Sequence, residues 1–349
     1  MTNGTRWVGI DLHRRRSQIA VIDEHGELTD SRRIVNDREA FLELLGDPEG
    51  THVALEATYG WEWLAELLEE AGYDLHLAHP LRTRAIAAAR VKTDAIDAKT
   101  LAQLLRAGLL PEAYVAPREV RDLRELLRHR ATLTRMRSAV KNRVHALLAK
   151  HGIAREHSDL FGKGGREFLA GLELREAPRR RLDSLIALIC DLDREIEQTT
   201  REIEQRARED ERVDVLTQIR GVGRYTAMLI IAEVGDITRF PTARHLCSWA
   251  GLTPTVRSSD GKARLGHISR QGSPALRWAL VEAAQKITTG SGPPREKFER
   301  IAKRRGRKIA TVAIAREILT LAYYGLRDGE IRCLAHRRRP SATQVMAAS

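Results

Sequence analysis

The sequence predicts an α/β domain at the N-terminus, a helical coiled-coil connection and a mainly α-helical domain at the C-terminus. In roughly the first hundred residues, short strand-like segments alternate with amphipathic segments of helical period. Further along, two long segments repeat apolar residues every three or four positions. We therefore assign residues 1–117, 118–211 and 212–334 to these three parts, and residues 335–349 to a disordered tail.

Five segments of the N-terminal part have the composition of β-strands. Turn residues such as His25-Gly26-Glu27 and short amphipathic segments separate them. A last helix begins at Thr93, whose hydroxyl can cap its first turn. The strands are predicted at residues 6–12, 17–23, about 28–35, 51–57 and 73–78, with helices at about 41–45 and 61–71. The predicted order is βββαβαβα.

Four acidic residues lie at the ends of these predicted elements. Asp11 closes the first strand and Glu56 the fourth, while Asp94 and Asp97 lie in the first turn of the last helix. Because residues three apart share a helix face, these two aspartates can bind one hard divalent cation. Each acid alone is also typical of an ordinary turn or helix start. Their combination at element ends indicates a metal site.

The order of elements and the acids resemble the RNase H-like (RuvC-like) nuclease fold. The resemblance implies that the four acids converge at the edge of the sheet and hold two Mg²⁺ ions. Such ions polarise a phosphodiester and stabilise the attacking and leaving oxygens. An ATPase of the actin or sugar-kinase class also begins with Gly-x-Asp after a strand. That class would require a second Asp-Gly phosphate loop, which we do not identify.

The charge of the chain favours a polyanionic partner. Among 349 residues, 59 Lys and Arg oppose 47 Asp and Glu, which leaves a net charge of +12. Nucleic acid is the first expectation and a membrane surface the alternative. The N-terminus lacks a signal segment, and no apolar run approaches the roughly 20 residues that span a bilayer. We therefore expect a cytoplasmic, nucleoid-associated protein without a membrane partner.

The first long helix, predicted from Arg118 to about Lys150, is strongly basic around an apolar stripe. Such a face suits phosphate contacts, and Arg128, Arg135 and Lys141 are candidate nucleic-acid ligands. An ordinary solvated helix face is the alternative.

The second long helix is predicted from about residue 179 to 210, after a loop that contains a short helix. Its apolar residues form a heptad seam. The seam comprises Leu182, Leu185, Ile189, Leu192, Ile196, Thr199 and Ile203. It can pair with the first long helix or with another protomer, and the sequence leaves both possibilities open.

Residues 213–235 predict a helix-hairpin-helix with a glycine-containing turn. Glycines let the backbone approach a ligand closely, and the amides at the start of the second helix can bind a phosphate without reading base sequence. The candidate contacts are Gly221, Val222, Gly223 and Arg224. An ordinary αα-hairpin is the alternative.

Beyond the hairpin follow the segments Ala250-Gly251-Leu252-Thr253-Pro254 and Ser259-Asp260-Gly261-Lys262. With the acids and the hairpin, in this order, they resemble the DEDD transposases of the IS110 insertion-sequence family over residues 6–330. The resemblance implies a recombinase with a RuvC-like domain, a coiled-coil connection and a transposase domain with a serine nucleophile. It also implies guidance by a structured RNA encoded beside the gene.

On the family pattern, the catalytic residues are the four acids and Ser259. The local sequence alone predicts only a turn there, and Ser258 is the neighbouring alternative. The sequence fixes no His or Lys base beside the serine, so activation of its hydroxyl by the metal site is expected. Arg257, Lys262 and Arg264 can bind the scissile phosphate or RNA.

Closing helices are predicted at residues 275–289 and 308–326, with a loop at 290–294 and a basic run at 303–308 between them. The resemblance thus implies a Mg²⁺-dependent DNA recombinase that acts with a structured guide RNA, and we expect it to act as a dimer or tetramer. One alternative is a RuvC-like junction nuclease that hydrolyses DNA with water. The other is a non-catalytic nucleic-acid-binding protein whose acids merely begin helices.

Overall fold

The computed structural model describes residues 4–86, 93–154, 157–259 and 262–335. Of residues 257–259, 262, 263, 265 and 335 it describes the backbone alone. The chain forms two compact units, Met1–Ala116 and Pro117–Ser349. The disordered tail predicted at residues 335–349 lies outside the described residues except for residue 335, which ends the last helix.

The described part of the first unit is an α/β domain, as predicted. Its elements are β1 (Arg6–Asp11), β2 (Arg16–Ile22), β3 (Leu28–Val35), α1 (Arg38–Leu45), β4 (Thr51–Glu56), α2 (Glu62–Glu70), β5 (Asp74–Ala78), α3 (Pro80–Ile86) and α4 (Asp94–Arg106). The predicted order is confirmed except for α3, which the sequence analysis missed. This short helix begins with a proline, whose fixed φ suits the first helical position.

The strands form one mixed sheet in the order β3-β2-β1-β4-β5. Strands β1, β2 and β3 are antiparallel neighbours, whereas β4 and β5 run parallel to β1. Because side chains alternate along a strand, β1 presents Val8 and Ile10 to the core that also contains Phe41 of α1 and Leu64 of α2. Gly9 lies on the opposite face, which α4 covers.

Helix α4 lies directly against β1 at Gly9. A Cβ atom there would come within 1.9 Å of the carbonyl oxygen of Ala98 and 2.7 Å of the amide nitrogen of Ala102. Ala98 and Ala102 are one helical turn apart and fully buried, so small residues on both elements permit this approach. The predicted cap is confirmed, since the Thr93 hydroxyl accepts a hydrogen bond from the Ile96 amide at 3.3 Å.

The second unit is largely helical, as predicted, within the described residues. Its elements are α5 (Arg118–Lys150), α6 (Lys163–Gly171), α7 (Glu176–Arg208), α8 (Glu211–Thr217), α9 (Arg224–Val234), α10 (Ala243–Trp249), β6 (Pro254–Ser259), β7 (Lys262–Ile268), α11 (Pro274–Thr288), α12 (Pro293–Arg305), α13 (Arg307–Asp328) and α14 (Arg332–Ala335). Strands β6 and β7 and helices α10, α12 and α14 were not predicted from the sequence. The two strands flank the expected turn as a hairpin, and α12 precedes the last long helix.

The heptad seam of α7 packs against α5 of the same chain. Val140 and Val144 of α5 share a buried cluster with Leu182 and Ile189 of α7. The two helices are also joined by a hydrogen bond of 2.7 Å, which Nη1 of Arg137 donates to Oδ1 of Asp193. The structure therefore decides between the two pairings left open by the sequence. An intramolecular pair explains the seam, which by itself gives no support to an oligomer.

Part of the basic face of α5 binds the C-terminal end of α9. Arg124 donates hydrogen bonds to the carbonyl oxygens of Ala232 and Glu233, at 2.7 and 3.2 Å. Arg128 donates two hydrogen bonds of 2.8 Å to the carboxylate of Glu233, which is buried. Cations stabilise the negative end of a helix, and a two-point guanidinium pair compensates a buried carboxylate. These two arginines thus have a structural role.

Helix α13 is long and apolar enough to cross a membrane by length and composition, although no such run was expected from the sequence. Its buried residues include Ile314, Ile318 and Leu319, which belong to the main core of the second unit. The hydroxyl of Tyr323 donates a hydrogen bond of 3.1 Å to the carbonyl oxygen of Phe240. Core helices of ordinary domains share this composition, and α13 packs as one of them.

Candidate metal centre

The four predicted acids line one cleft of the first unit. The cleft has a volume of about 590 Å³ and is open to solvent. Its lining residues are Asp11, Leu12, His13, Arg14, Glu56, Thr58, Tyr59, Thr93, Asp94 and Asp97. The structure thus brings together side chains that are separated by up to 86 positions in the sequence, between residues 11 and 97.

Strand register brings Asp11 and Glu56 together. In the parallel pair of β1 and β4, Gly9 lies opposite Ala54, and Ile10 lies opposite Leu55. Asp11 and Glu56 are the last residues of their strands, so they end at the same edge of the sheet. With a side-chain period of two, each lies on the face covered by α4.

Helix geometry brings the two aspartates of α4 to the same edge. Asp94 precedes Ala98, the residue in contact with Gly9, by one turn. Asp97 precedes Leu101 by one turn, and Leu101 packs in a buried cluster with Ala54 of β4. The close contact at Gly9 therefore holds the first turn of α4 over the ends of β1 and β4.

His13 is a member of this cluster that the sequence analysis missed. Its Nε2 lies 3.3 Å from Oδ2 of Asp11 and 3.4 Å from Oδ2 of Asp94. The ligand atoms of the three residues all lie within 4.8 Å of one another. The signal in the sequence was its position, two residues after Asp11. Arg33 of β3 adds positive charge, with its guanidinium 3.7 Å from Asp94.

This set of donors fits a divalent cation. Carboxylate oxygens are the ligands that hard divalent cations prefer. Several carboxylates in one cleft repel one another, and a bound cation relieves this repulsion more completely than His13 and Arg33 alone. Asp11 is largely buried, with 13% of its side chain exposed, whereas 43% of Asp94 is exposed. A ligand can therefore reach the centre from solvent.

The predicted serine lies at the end of the β6–β7 hairpin in the second unit. Ser259 is the last residue of β6 and pairs with Lys262, while Arg257 pairs with Arg264. Arg264 is exposed. The side chains of Arg257, Ser258, Ser259 and Lys262, and all of residues 260 and 261, lie outside the described residues.

The residues of the predicted phosphate-binding turn differ in how closely they are packed. Gly221 has a φ of +85°, and a Cβ atom there would come within 2.4 Å of the carbonyl oxygen of Ala283 in α11. Val222 is buried. Gly223 and Arg224, in contrast, lie at the open start of α9, where a Cβ on Gly223 would meet nothing within 4 Å. Packing thus explains Gly221, and phosphate binding at Gly223 and Arg224 stays a prediction.

The candidates on α5 also differ in their surroundings. Arg128 forms the pair with Glu233, whereas Arg135 is exposed and donates a hydrogen bond of 2.9 Å to Thr132 of its own helix. The Lys141 ammonium lies 4.6 Å from the ring centroid of Phe161. Nucleic-acid contacts of these three residues stay predictions.

Comparison with known proteins gives matches over both units. Residues 8–153 match the DEDD transposase model of IS110 type, described as "Transposase", and residues 213–299 match a model described as "Transposase IS116/IS110/IS902 family". The first match includes the four acids of the cleft. The second includes the α8–α9 turn and the β6–β7 hairpin.

The chain is also similar to curated transposases over most of its length. A probable family 20 transposase of Pseudomonas aeruginosa is 27% identical, covering 80% of this chain and 83% of the relative. The transposase of insertion sequence element IS1328 of Yersinia enterocolitica is 26% identical, covering 93% and 97%. A putative transposase of Sinorhizobium fredii is 30% identical, covering 80% and 74%. The chain therefore belongs to the IS110 family of DNA transposases.

Proposed function

We propose that this transposase cleaves and rejoins DNA with two Mg²⁺ ions held by Asp11, Glu56, Asp94 and Asp97, and with Ser259 as the nucleophile. The observation that carries the proposal is the convergence of the four acids in one open cleft at the ends of β1, β4 and the start of α4. The element order and the parallel strands β1, β4 and β5 support an RNase H-like (RuvC-like) assignment of the first unit.

The residues of the cleft have distinct roles in this proposal. When bound, Mg²⁺ supplies polarisation of the scissile phosphodiester and favours the ionised form of the attacking hydroxyl. Asp11 and Glu56, fixed by their strands, and the two aspartates of α4 orient the ligands of the centre. Arg14 lies at the cleft and can neutralise a neighbouring backbone phosphate. Nε2 of His13 lies between the carboxylates of Asp11 and Asp94 and helps to orient them.

The serine step conserves the energy of the phosphodiester bond. The Ser259 oxygen attacks the phosphorus and loses its proton, the bond from phosphorus to one DNA oxygen breaks, and that oxygen leaves as a DNA hydroxyl. A second DNA hydroxyl later attacks the phosphoserine linkage and restores the serine. Two exchanges of this kind rejoin DNA strands without an external source of energy.

The second unit supplies the proposed nucleic-acid contacts. The helices α8 and α9 act as a helix-hairpin-helix, with Gly223 and Arg224 at the phosphate. Residues 118–211 form the coiled-coil connection and 212–334 the transposase domain. The partners are DNA, a structured guide RNA and further copies of the chain as a dimer or tetramer, in the cytoplasm. Support comes from the net charge of +12, from the exposed Arg135 of α5 and from the family membership.

The Ser259→Ala variant tests the nucleophile. It should lose the covalent protein–DNA adduct and recombination, but keep DNA and RNA binding, because one hydroxyl contributes little to a largely electrostatic affinity. A denaturing gel detects the adduct, and mass spectrometry of the trapped peptide locates it. Ser258→Ala is the matched control and should retain the adduct. DNA attached at Ser258 would refute the assignment of Ser259 as the nucleophile. Cleavage that releases free DNA ends, with no DNA attached to the protein, would also refute it and would favour a hydrolytic nuclease.

Salt dependence tests the electrostatic contacts. If the chain neutralises about 6–10 phosphates, affinity should fall roughly 10³–10⁵-fold between about 50 and 200 mM salt. The double variant Arg135→Gln/Lys141→Gln should reduce the slope of log affinity against log salt by about 2, since each lost phosphate contact removes about 1. Arg201→Gln, on the exposed face of α7, is the control and should leave the slope unchanged. A flat salt dependence of the wild type would contradict the proposal.

A further inference from the structure

A second cluster of potential ligands lies on the same face of the sheet, away from the acidic cleft. His52 of β4 pairs in register with Asp74 of β5, and His76 follows two residues later on the same face. Oδ2 of Asp74 lies 2.5 Å from Nδ1 of His52 and 3.0 Å from Nε2 of His76. The three ligand atoms all lie within 4.8 Å of one another.

The cluster is distinct from the proposed DNA-cleavage site. His52 lies near the beginning of β4 and Glu56 at its end. Four residues of extended strand span about 13 Å, which is too far for the two clusters to share one ion. The functions proposed for the acidic cleft therefore leave His52, Asp74 and His76 unexplained.

The surroundings orient both histidine rings. Oε1 of Glu112 lies 2.8 Å from Nδ1 of His76, whose other ring nitrogen contacts Asp74. The ring of Trp7 stacks on His52, with centroids 5.7 Å apart and an interplanar angle of 22°. A histidine that binds a metal through one nitrogen commonly donates its other N–H to a carboxylate, which fixes the tautomer and the ring orientation. His76 and Glu112 have this arrangement.

The charges of the cluster are compatible with a cation. Burial raises the pKa of Asp74, but hydrogen bonds from His76 and His52 outweigh it, and the pKa of this carboxyl is lowered overall. Burial lowers the pKa of His76, yet its contacts with Asp74 and Glu112 raise the pKa above its ordinary value. The structure thus places the His76 ring between the carboxylates of Asp74 and Glu112. A cation bound at Nε2 leaves the contact of Nδ1 with Glu112 intact.

We propose that Nδ1 of His52, a carboxylate oxygen of Asp74 and Nε2 of His76 form a binding site for a divalent transition-metal ion of the zinc class. Two imidazoles and one carboxylate suit Zn²⁺ better than Mg²⁺, which prefers oxygen ligands and keeps its waters. In a tetrahedral zinc site with metal–ligand bonds of about 2.0–2.2 Å, the donor atoms lie about 3.3 Å from one another. The Asp74 oxygen is now 2.5 and 3.0 Å from the two histidine nitrogens. A small outward movement of Asp74 therefore admits the ion.

The site has a structural role in this proposal. It joins β4 to the edge strand β5 and, through Glu112, to the segment after α4 that forms an isolated bridge with Ala78. An ion could reach the site from solvent, since 54% of the Asp74 side chain is exposed. An ion that binds only the folded state stabilises it, by a free energy that grows with the logarithm of the ratio of ion concentration to dissociation constant.

Zinc and cobalt titrations of the untagged full-length chain test the site. The background variant Asp11→Asn/His13→Gln removes the competing cluster in the cleft. It should retain one Zn²⁺ per chain by elemental analysis and should give the visible absorption of tetrahedral Co²⁺. Adding His52→Gln/Asp74→Asn should abolish both signals. Retention of the ion after that change, or its loss in the background variant alone, would overturn the proposal.

A conservative variant keeps the test independent of folding. Glu112→Gln preserves size and should weaken Zn²⁺ affinity about 10–100-fold, because it removes the carboxylate that orients His76. Glu43→Gln, on the exposed side of α1, is the matched control and should bind Zn²⁺ like the wild type. Circular dichroism monitors the fold of all variants. Equal Zn²⁺ affinity of the two Gln variants, or equal affinity of the wild type for Mg²⁺ and Zn²⁺, would also refute the site.

Discussion

Replacing Asp11 with asparagine is expected to reduce Mg²⁺-dependent DNA cleavage by at least about 10³-fold, equivalent to about 4 kcal/mol of transition-state stabilisation. The change preserves the shape of the side chain but removes a ligand charge from a carboxylate that is only 13% exposed. The fold and DNA binding should be retained, since the loss of a negative charge beside a phosphate favours DNA. Cleavage assays and Mn²⁺ binding by electron paramagnetic resonance measure the two effects.

Asp30→Asn is the control for this experiment. Asp30 lies on β3 of the same sheet and interacts with Arg32, at 3.0 Å, rather than with the cleft. This variant should cleave DNA and bind Mn²⁺ like the wild type. Wild-type cleavage by Asp11→Asn, or by the unchanged protein in EDTA, would rule out the metal-dependent mechanism. Loss of cleavage with unchanged Mn²⁺ binding would show that Asp11 is not a metal ligand.

The Gly9→Val variant is expected to destabilise the first unit by about 3 kcal/mol or more, the upper range for overpacking a buried site. Strand propensity alone predicts the opposite sign, since valine favours extended strands and glycine weakens them. The added side chain begins with a Cβ only 1.9 Å from the backbone oxygen of Ala98, and backbone cannot move aside cheaply. Helix α4 must therefore shift, which also separates Asp94 from Asp11.

Urea unfolding and hydrogen exchange measure this effect. Amide protons of α4 should exchange faster in Gly9→Val, and divalent-cation binding in the cleft should be lost with them. Gly4→Val is the control, because a Cβ at Gly4 meets nothing within 4 Å. A Gly9→Val protein as stable as Gly4→Val, with intact cation binding, would show that the contact of α4 with β1 does not position the site.

The positions of most elements in the first unit could be predicted from the sequence because each depends on local periodicity. Alternating side chains identify strands such as β4, and a capping residue such as Thr93 identifies the start of α4. The pattern of acids at element ends also led to the correct cleft residues. Helices α3 and α12 were missed because short or highly charged helices are stabilised by tertiary packing more than by an apolar period.

The contacts made by the basic face of α5 and the apolar face of α7 could not be predicted in the same way. A heptad seam shows that a partner helix exists but not which helix it is, and α5 of the same chain proved to be the partner of α7. The sequence also carried no sign that the guanidinium of Arg128, predicted as a nucleic-acid ligand, pairs with the buried Glu233. A sequence pattern shows whether a helix face is basic or apolar. The element that the face contacts is determined by interactions between residues far apart in the sequence.

The sequence by itself determined the α/β and helical parts of the chain, the family, and the four acids as a set. Only the tertiary structure decided that His13 joins Asp11 and Asp94, and that His52, Asp74 and His76 form a second cluster. The physical reason is that both clusters depend on contacts between distant segments, whereas local periodicity gives only the face on which a side chain lies. The packing of α4 on β1 at Gly9 brings Asp94 to Asp11 and His13. The register of β4 with β5 brings His52 to Asp74 and His76.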